Sequence, residues 1–177
     1  MRFRLAAVLV ALLCSAWVPV ESEPTVSWDE YHAWMGRWIT SRMTVDRCLR
    51  YEPLIDRWQP DFPDVPKPVV FALMAAETAC MPYADDGLSV GLMAVTPRAW
   101  TASRDALFDP AVNVYWGMFI LDSAIREANG DLTFALGAYN CGWESLRADR
   151  CIPGGGLDYA DAVLNFWLPI VEERRDR

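Results

Sequence analysis

The stretch "PVVFALMAAETACMP", residues 68–82, sets an acid inside an apolar run. Counting from Val70, the side chains of Leu73, Met74 and Glu77 fall at i, i+3, i+4 and i+7. One helical stripe therefore carries three large hydrophobes and a carboxylate. Pro68 suits a first helical turn, where a missing N–H costs nothing, and Pro82 marks a stop. The spacing predicts a helix over about Val69 to Cys80 with Glu77 in its last turn, directed toward a core. Apolar neighbours and the negative end of the helix macrodipole both disfavour a charge there, so both raise the pKa of the acid. A neutral, poised carboxylic acid is what general-acid cleavage of a glycosidic bond requires. The bland alternative is a structural acid paired with Arg98 or Arg104.

Outward from this segment the pattern is helical. "SWDEYHAWMGRWITSRM" begins with Ser27 as N-cap and Glu30 three residues on, a capping box that opens the first helix. A second, short helix is read through "VDRCLRYEPLIDRW". Pro60, Pro63, Pro66 and Pro68 then form an extended connector, because each proline pushes its predecessor out of the helical region. After the turn "YADDGLS" comes "GLMAVTPRAW", read as a loop and short helix, and then a long helix from about Ala111 to Ala128. "LTFALGAYN" is a further helix cut by "CGW", and "DYADAVLNFWLPIVEE" is the last. No run alternates long enough for a strand, so the fold class is all-α with at most minor β. The nine tryptophans read mostly as core or groove lining.

Composition limits the chemistry. The 177 residues, 53% hydrophobic, suffice for one well-filled domain. A net charge of -8 offers no footprint for a nucleic-acid backbone. The single histidine, His32, sits among Trp28, Tyr31, Trp34 and Trp38 and reads as packing or surface, which removes multi-imidazole metal sites and most His-based triads. No P-loop, dinucleotide fingerprint or calcium loop is present. Neither a cofactor nor a metal is expected, so any catalysis rests on carboxylates, amides and hydroxyls. Asp85 and Asp86, the other acids near Glu77, read as an exposed Asp-Asp-Gly turn; should one face Glu77, hydrolysis by a placed water becomes credible.

The N-terminus has the form of an export signal: Arg2 and Arg4 precede an apolar stretch from Leu5 to Leu13 that is too short to span a bilayer. Residues 1–22 are read as that signal, with an uncleaved anchor as the alternative. Cys48, Cys80, Cys141 and Cys151 remain after it, an even number that allows three pairings. Cys141 and Cys151 bracket a turn-rich segment containing "PGGG", the natural local closure, which leaves Cys48 with Cys80. Four buried thiols in a reducing compartment are the alternative.

Four blocks, in order, resemble the soluble lytic transglycosylase family and, more distantly, goose-type lysozymes. "AAETACMPYADDGLSVGLMAVTP" is similar to the family's Glu-Ser helix end followed by Gly-Leu-Met-Gln and a proline, through Glu77, Thr78, Gly91, Leu92, Met93 and Pro97. "DPAVNVYWGMFIL" resembles the Asp-Pro, Asn and Gly helix through Asp109, Pro110, Asn113 and Gly117. "ALGAYNCG" matches the Ala-Tyr-Asn-Ala-Gly block at Ala138, Tyr139, Asn140 and Gly142, and "DYADAVLNFW" the closing tyrosine motif at Tyr159. Thr78 stands for the family serine, and Ala94 for the glutamine that helps hold the glycan.

The resemblance implies a lysozyme-like α fold with a groove between helices, and glycan strands of peptidoglycan as the partner. Cleavage would fall at the β-1,4 bond between N-acetylmuramic acid and N-acetylglucosamine, with Glu77 acting as acid and then base to leave 1,6-anhydro ends. Tyr139 and Asn140 would orient the substrate's acetamido carbonyl or the acid, backbone groups of the 91–95 loop would bind sugar amides, Met93 would line the floor, Tyr159 would wall the groove, and Thr78 would complete the substrate-binding set. The implied organisation is a helical segment and connector over 23–66, a catalytic domain over 67–170 and a charged tail over 171–177. The product is read as an exported monomer that opens the wall locally, for instance for a secretion, conjugation, pilus or phage apparatus. A hydrolytic muramidase, and a wall-binding protein weakened by Ala94, are the competing functions.

Overall fold

The computed structural model describes residues 28–98 and 101–177. The leader read at 1–22 and Ser27 of the capping box lie outside the described residues. The described helices are α1 (Trp28–Leu49), α2 (Glu52–Trp58), α3 (Lys67–Thr78), α4 (Arg104–Leu107), α5 (Pro110–Glu127), α6 (Leu132–Cys141), α7 (Trp143–Arg147), α8 (Leu157–Asp161) and α9 (Leu168–Arg175), with a π-helical segment, Ala162–Trp167, between the last two. Strand pairing among them is limited to two isolated bridges, Asp85 with Val90 and Val90 with Val95. The fold is all-α. No helix among the described residues is long and apolar enough to cross a membrane.

The central element is α3. Every residue from Val69 to Ala75 is buried, so this helix is apolar all round rather than along one stripe. It packs against α1, α9 and the π-helical segment. Its end differs from the sequence reading. The helix stops at Thr78, ahead of Pro82, because Ala79 and Cys80 take left-handed conformations, with φ of 50° and 58°. Such a conformation costs a residue with a Cβ roughly 1–2 kcal/mol, so something must hold it. The Cys48–Cys80 bridge, with Cα atoms 5.2 Å apart, ties this corner to α1, and the Arg47 guanidinium donates to the Ala79 carbonyl at 3.0 Å.

Two boundaries differ further. The sequence reading gave Val45–Leu49 to a second helix, whereas α1 runs through them, because Val45 and Cys48 continue its buried face. The last helix, read as far as Glu173, runs on as α9 to Arg175. There Val171 is buried and Arg174 clasps Asp46 of α1 through two bonds of 2.7 and 2.8 Å. The long helices α5 and α6 are capped as their sequences dictate. Asp109 accepts from the Ala111 and Val112 amides ahead of Pro110, and Asp131 from those of Thr133 and Phe134. The second bridge joins Cys141 to Cys151, Cα atoms 5.7 Å apart, closing the loop that follows α6. Both pairings agree with the local-closure reading.

Candidate active site

The left-handed corner after α3 leaves Glu77 in the last turn of that helix, half-buried. Its Oε1 accepts the Tyr159 hydroxyl at 2.6 Å, a contact between residues 82 apart in the chain. Tyr159 comes from α8, which starts at Leu157 and packs against α6. The α8 start is pinned by Asn140 at the end of α6, whose Oδ1 accepts the Gly156 amide at 3.0 Å.

Opposite the acid lies the 84–95 loop, folded on itself by paired Val90 and Val95 backbone bonds of 3.1 and 3.0 Å and by the Gly91 amide on the Ala84 carbonyl. A buried amide side chain governs this loop. Asn113 of α5 accepts the Met93 amide at 2.8 Å and donates to the Val90 and Leu107 carbonyls at 2.7 and 2.9 Å, so its hydrogen bonds are spent on backbone. Gly91, at φ 77°, passes so near that a Cβ there would meet Asn113 Nδ2 at 2.2 Å, which excludes any other residue. The loop is also fastened to the acid's own helix. Thr78 donates to the Leu92 carbonyl at 2.8 Å, and Tyr139 of α6 to the Met93 carbonyl at 2.7 Å.

Between α3 and this loop is a cleft of about 460 Å³, lined by residues that include Glu77, Thr78, Asp85, Asp86, Ser89 and Ala94. Burial is the main influence on Glu77 and the Asp86 charge adds to it. Against the opposing bond from Tyr159, the net result is a carboxyl pushed up to about 7. The hydroxyls of Tyr139 and Tyr159 are raised well above the ordinary phenol value, first by burial and then by Glu77, so both stay protonated donors. Asp85 and Asp86 are held below the usual carboxylate range, first by backbone amides, those of Gly87 and of Ser89 respectively. The cleft thus combines an acid that keeps its proton near neutrality with neighbours that stay ionised.

A model of the transglycosylase SLT domain matches residues 59–153, which contain the acid, the loop, α5 and α6. The chain belongs to this family. Membership implies peptidoglycan cleavage of the lytic-transglycosylase type. No curated protein and no solved structure matches the chain.

Against the family's motif residues, the structure gives a mixed placement. Glu77, Thr78, Gly91 and Ala94 line the cleft. Leu92 and Met93 are fully buried, so Met93 forms core and not floor. Its thioether fills the space that the bare Gly117 leaves, where a Cβ would sit 2.3 Å from the sulfur. Thr78, Tyr139 and Asn140 use hydrogen bonds on the protein's own backbone, which makes them supports of the loop and of α8. Tyr159, beyond the matched span, touches the acid. Ala94 holds a left-handed φ of 48° and, being a methyl, leaves the cleft open where the family carries an amide. Asn113 entered the sequence reading as the asparagine of the Asp-Pro, Asn and Gly block, without the threefold bond that it makes here. Nothing in the spacing told which loop it would hold.

Proposed function

We propose that the protein is a lytic transglycosylase that cleaves the muramic acid to glucosamine β-1,4 bond of peptidoglycan with Glu77 as its general acid and then its base. The observation that carries the reading is one carboxyl, half-buried at the wall of a cleft, raised to about 7 and hydrogen-bonded by Tyr159. Protonated Glu77 would deliver its proton to the leaving glycosidic oxygen. Positive charge at C1 would be carried by the substrate's own N-acetyl group or an oxocarbenium-like state. As Glu77 ionises, the Tyr159 hydroxyl becomes a charge-assisted donor to it and steadies the carboxylate. That carboxylate then takes the proton of the muramic 6-hydroxyl, whose oxygen closes on C1 to give the 1,6-anhydro ring without water. A periplasmic or wall-associated location fits the substrate, the two bridges and the leader-like start.

The test is digestion of purified sacculi followed by mass spectrometry of the released muropeptides. Anhydro ends are expected from the wild type, with turnover by Glu77→Gln reduced about a thousandfold, within the range for a lost general acid. Reducing ends, or full activity in the Gln variant, would overturn the reading.

A further inference from the structure

Tyr159 is the third residue of α8, so the placing of its hydroxyl on Glu77 depends on how that helix begins. The last two residues of α6 grip the beginning. Asn140 accepts the Gly156 amide at 3.0 Å, and Cys141 is bonded to Cys151. The Cys151 sulfur lies against the Gly156 backbone, where a Cβ would meet it at 2.7 Å. Gly137 of α6 approaches the same residue, since a Cβ there would stand 3.3 Å from the Gly156 carbonyl. Gly156 itself has φ 62° and ψ −120°, a conformation that glycine adopts without strain. The bridge therefore bears directly on the residue that opens α8.

From this geometry we infer that the Cys141–Cys151 bridge positions the Tyr159 hydroxyl on the acid, and that opening the bridge slows the reaction by releasing the start of α8. The inference rests on Glu77 as the acid and adds what holds its partner in place. The two bridges differ in access. Cys48 and Cys80 are fully buried, whereas Cys141 and Cys151 are half-buried. Exchange begins with attack of a thiolate on a sulfur it can reach, so an external dithiol opens the second bridge and spares the first. Two electrons and two protons convert that bridge to two thiols, and the dithiol supplies them as it closes to its own disulfide. In a reducing compartment the chain is accordingly a slow enzyme, and it gains speed where the bridge can form.

The discriminating variant combines Cys141→Ser with Cys151→Ser, which opens this bridge and leaves Cys48–Cys80 closed. On sacculi its kcat should fall about tenfold, as for loss of the hydroxyl itself, with KM within about twofold. Added to Tyr159→Phe, the same two changes should cost less than about a further twofold, because the bridge acts through that hydroxyl. Dithiothreitol applied to the native wild type should open Cys141 and Cys151, and not Cys48 and Cys80, to alkylation. The same fall in kcat should follow, reversed when oxidised glutathione recloses the bridge. A kcat within about twofold of wild type overturns the inference. So does a full second loss of about tenfold in the Tyr159→Phe background, the mark of a clasp that only supports the fold. Where the double variant does not fold, Gly156→Ala carries the same readings with the bridge intact, since its Cβ forces the start of α8 away from the sulfur. If Glu77→Gln is inactive while the opened bridge is not slowed, only this inference fails. If Glu77→Gln is active, the reading beneath it fails as well.

Discussion

The end of α3 and the middle of α5 each carry a carboxylate into apolar surroundings, and the two are handled in opposite ways. Asp122 of α5 has a side chain only 5% exposed, and Arg126, one turn on and 64% exposed, pairs with it and leads the charge out to solvent. Glu77 has no ion pair among the described residues. Arg104, one of the two cations that a structural reading would assign to it, is taken by Asp85. Its side-chain hydrogen-bond partner among the described residues is a neutral hydroxyl. A sunken acid with a cation one turn away holds the fold, whereas one denied a cation is left holding its proton.

The comparison can be broken most decisively through stability. Glu77 ionises less readily in the folded chain than in the unfolded one. Between about pH 4.5 and 7 the unfolded state gives up this proton first, and stability falls as pH rises through that window. Glu77→Gln removes the loss. Chemical denaturation should find it more stable than wild type by up to about 3 kcal/mol at pH 8, the difference closing below pH 4.5. A Gln variant no more stable at pH 8 would mean that the two acids are not opposites.

The reverse change on α5 should cost stability. Arg126→Ala leaves a buried carboxylate with neither oxygen bonded to a described side chain, since Oδ1 already lacks a partner. A loss of about 2 kcal/mol is expected in urea titration, recovered in part by adding Asp122→Leu. Equal stability of single and double variants would show that the pair carries no structural load.

The finest test is Tyr159→Phe. Its hydroxyl opposes the rise in the Glu77 pKa, so removing it should shift the high-pH limb of activity upward, while kcat drops about tenfold through the lost orientation. A limb shifted downward would contradict the hydrogen bond as the link between the two residues.

Much of this was legible along the chain because it is local. The helical spacing of Val70, Leu73, Met74 and Glu77 and the Cys141–Cys151 closure both depend on neighbours a few residues away. What escaped the reading depends on distant partners. The α3 terminus is set by a bridge to Cys48, 32 residues back, not by the nearby Pro82. Met93 is core because Gly117 opens a space for it on another helix. Tyr159 reads as a groove wall until the fold brings α8 against the end of α3. Periodicity reports which face of a helix is buried, and it is silent on which loop a buried amide such as Asn113 will grip.

The π-helical segment between α8 and α9 sets the rotational phase of the hydroxyl that meets the acid. A π turn is in effect an α-helix with one residue inserted. Here it separates Tyr159, aimed at Glu77, from Val171 and Arg174, anchored on the core and on Asp46. Excising one residue from 162–167 would let the helix relax to regular winding and turn α8 by roughly 100° relative to α9. The hydroxyl would swing away although every residue of the cleft was untouched, so the catalytic geometry is sensitive to chain length as well as to residue type.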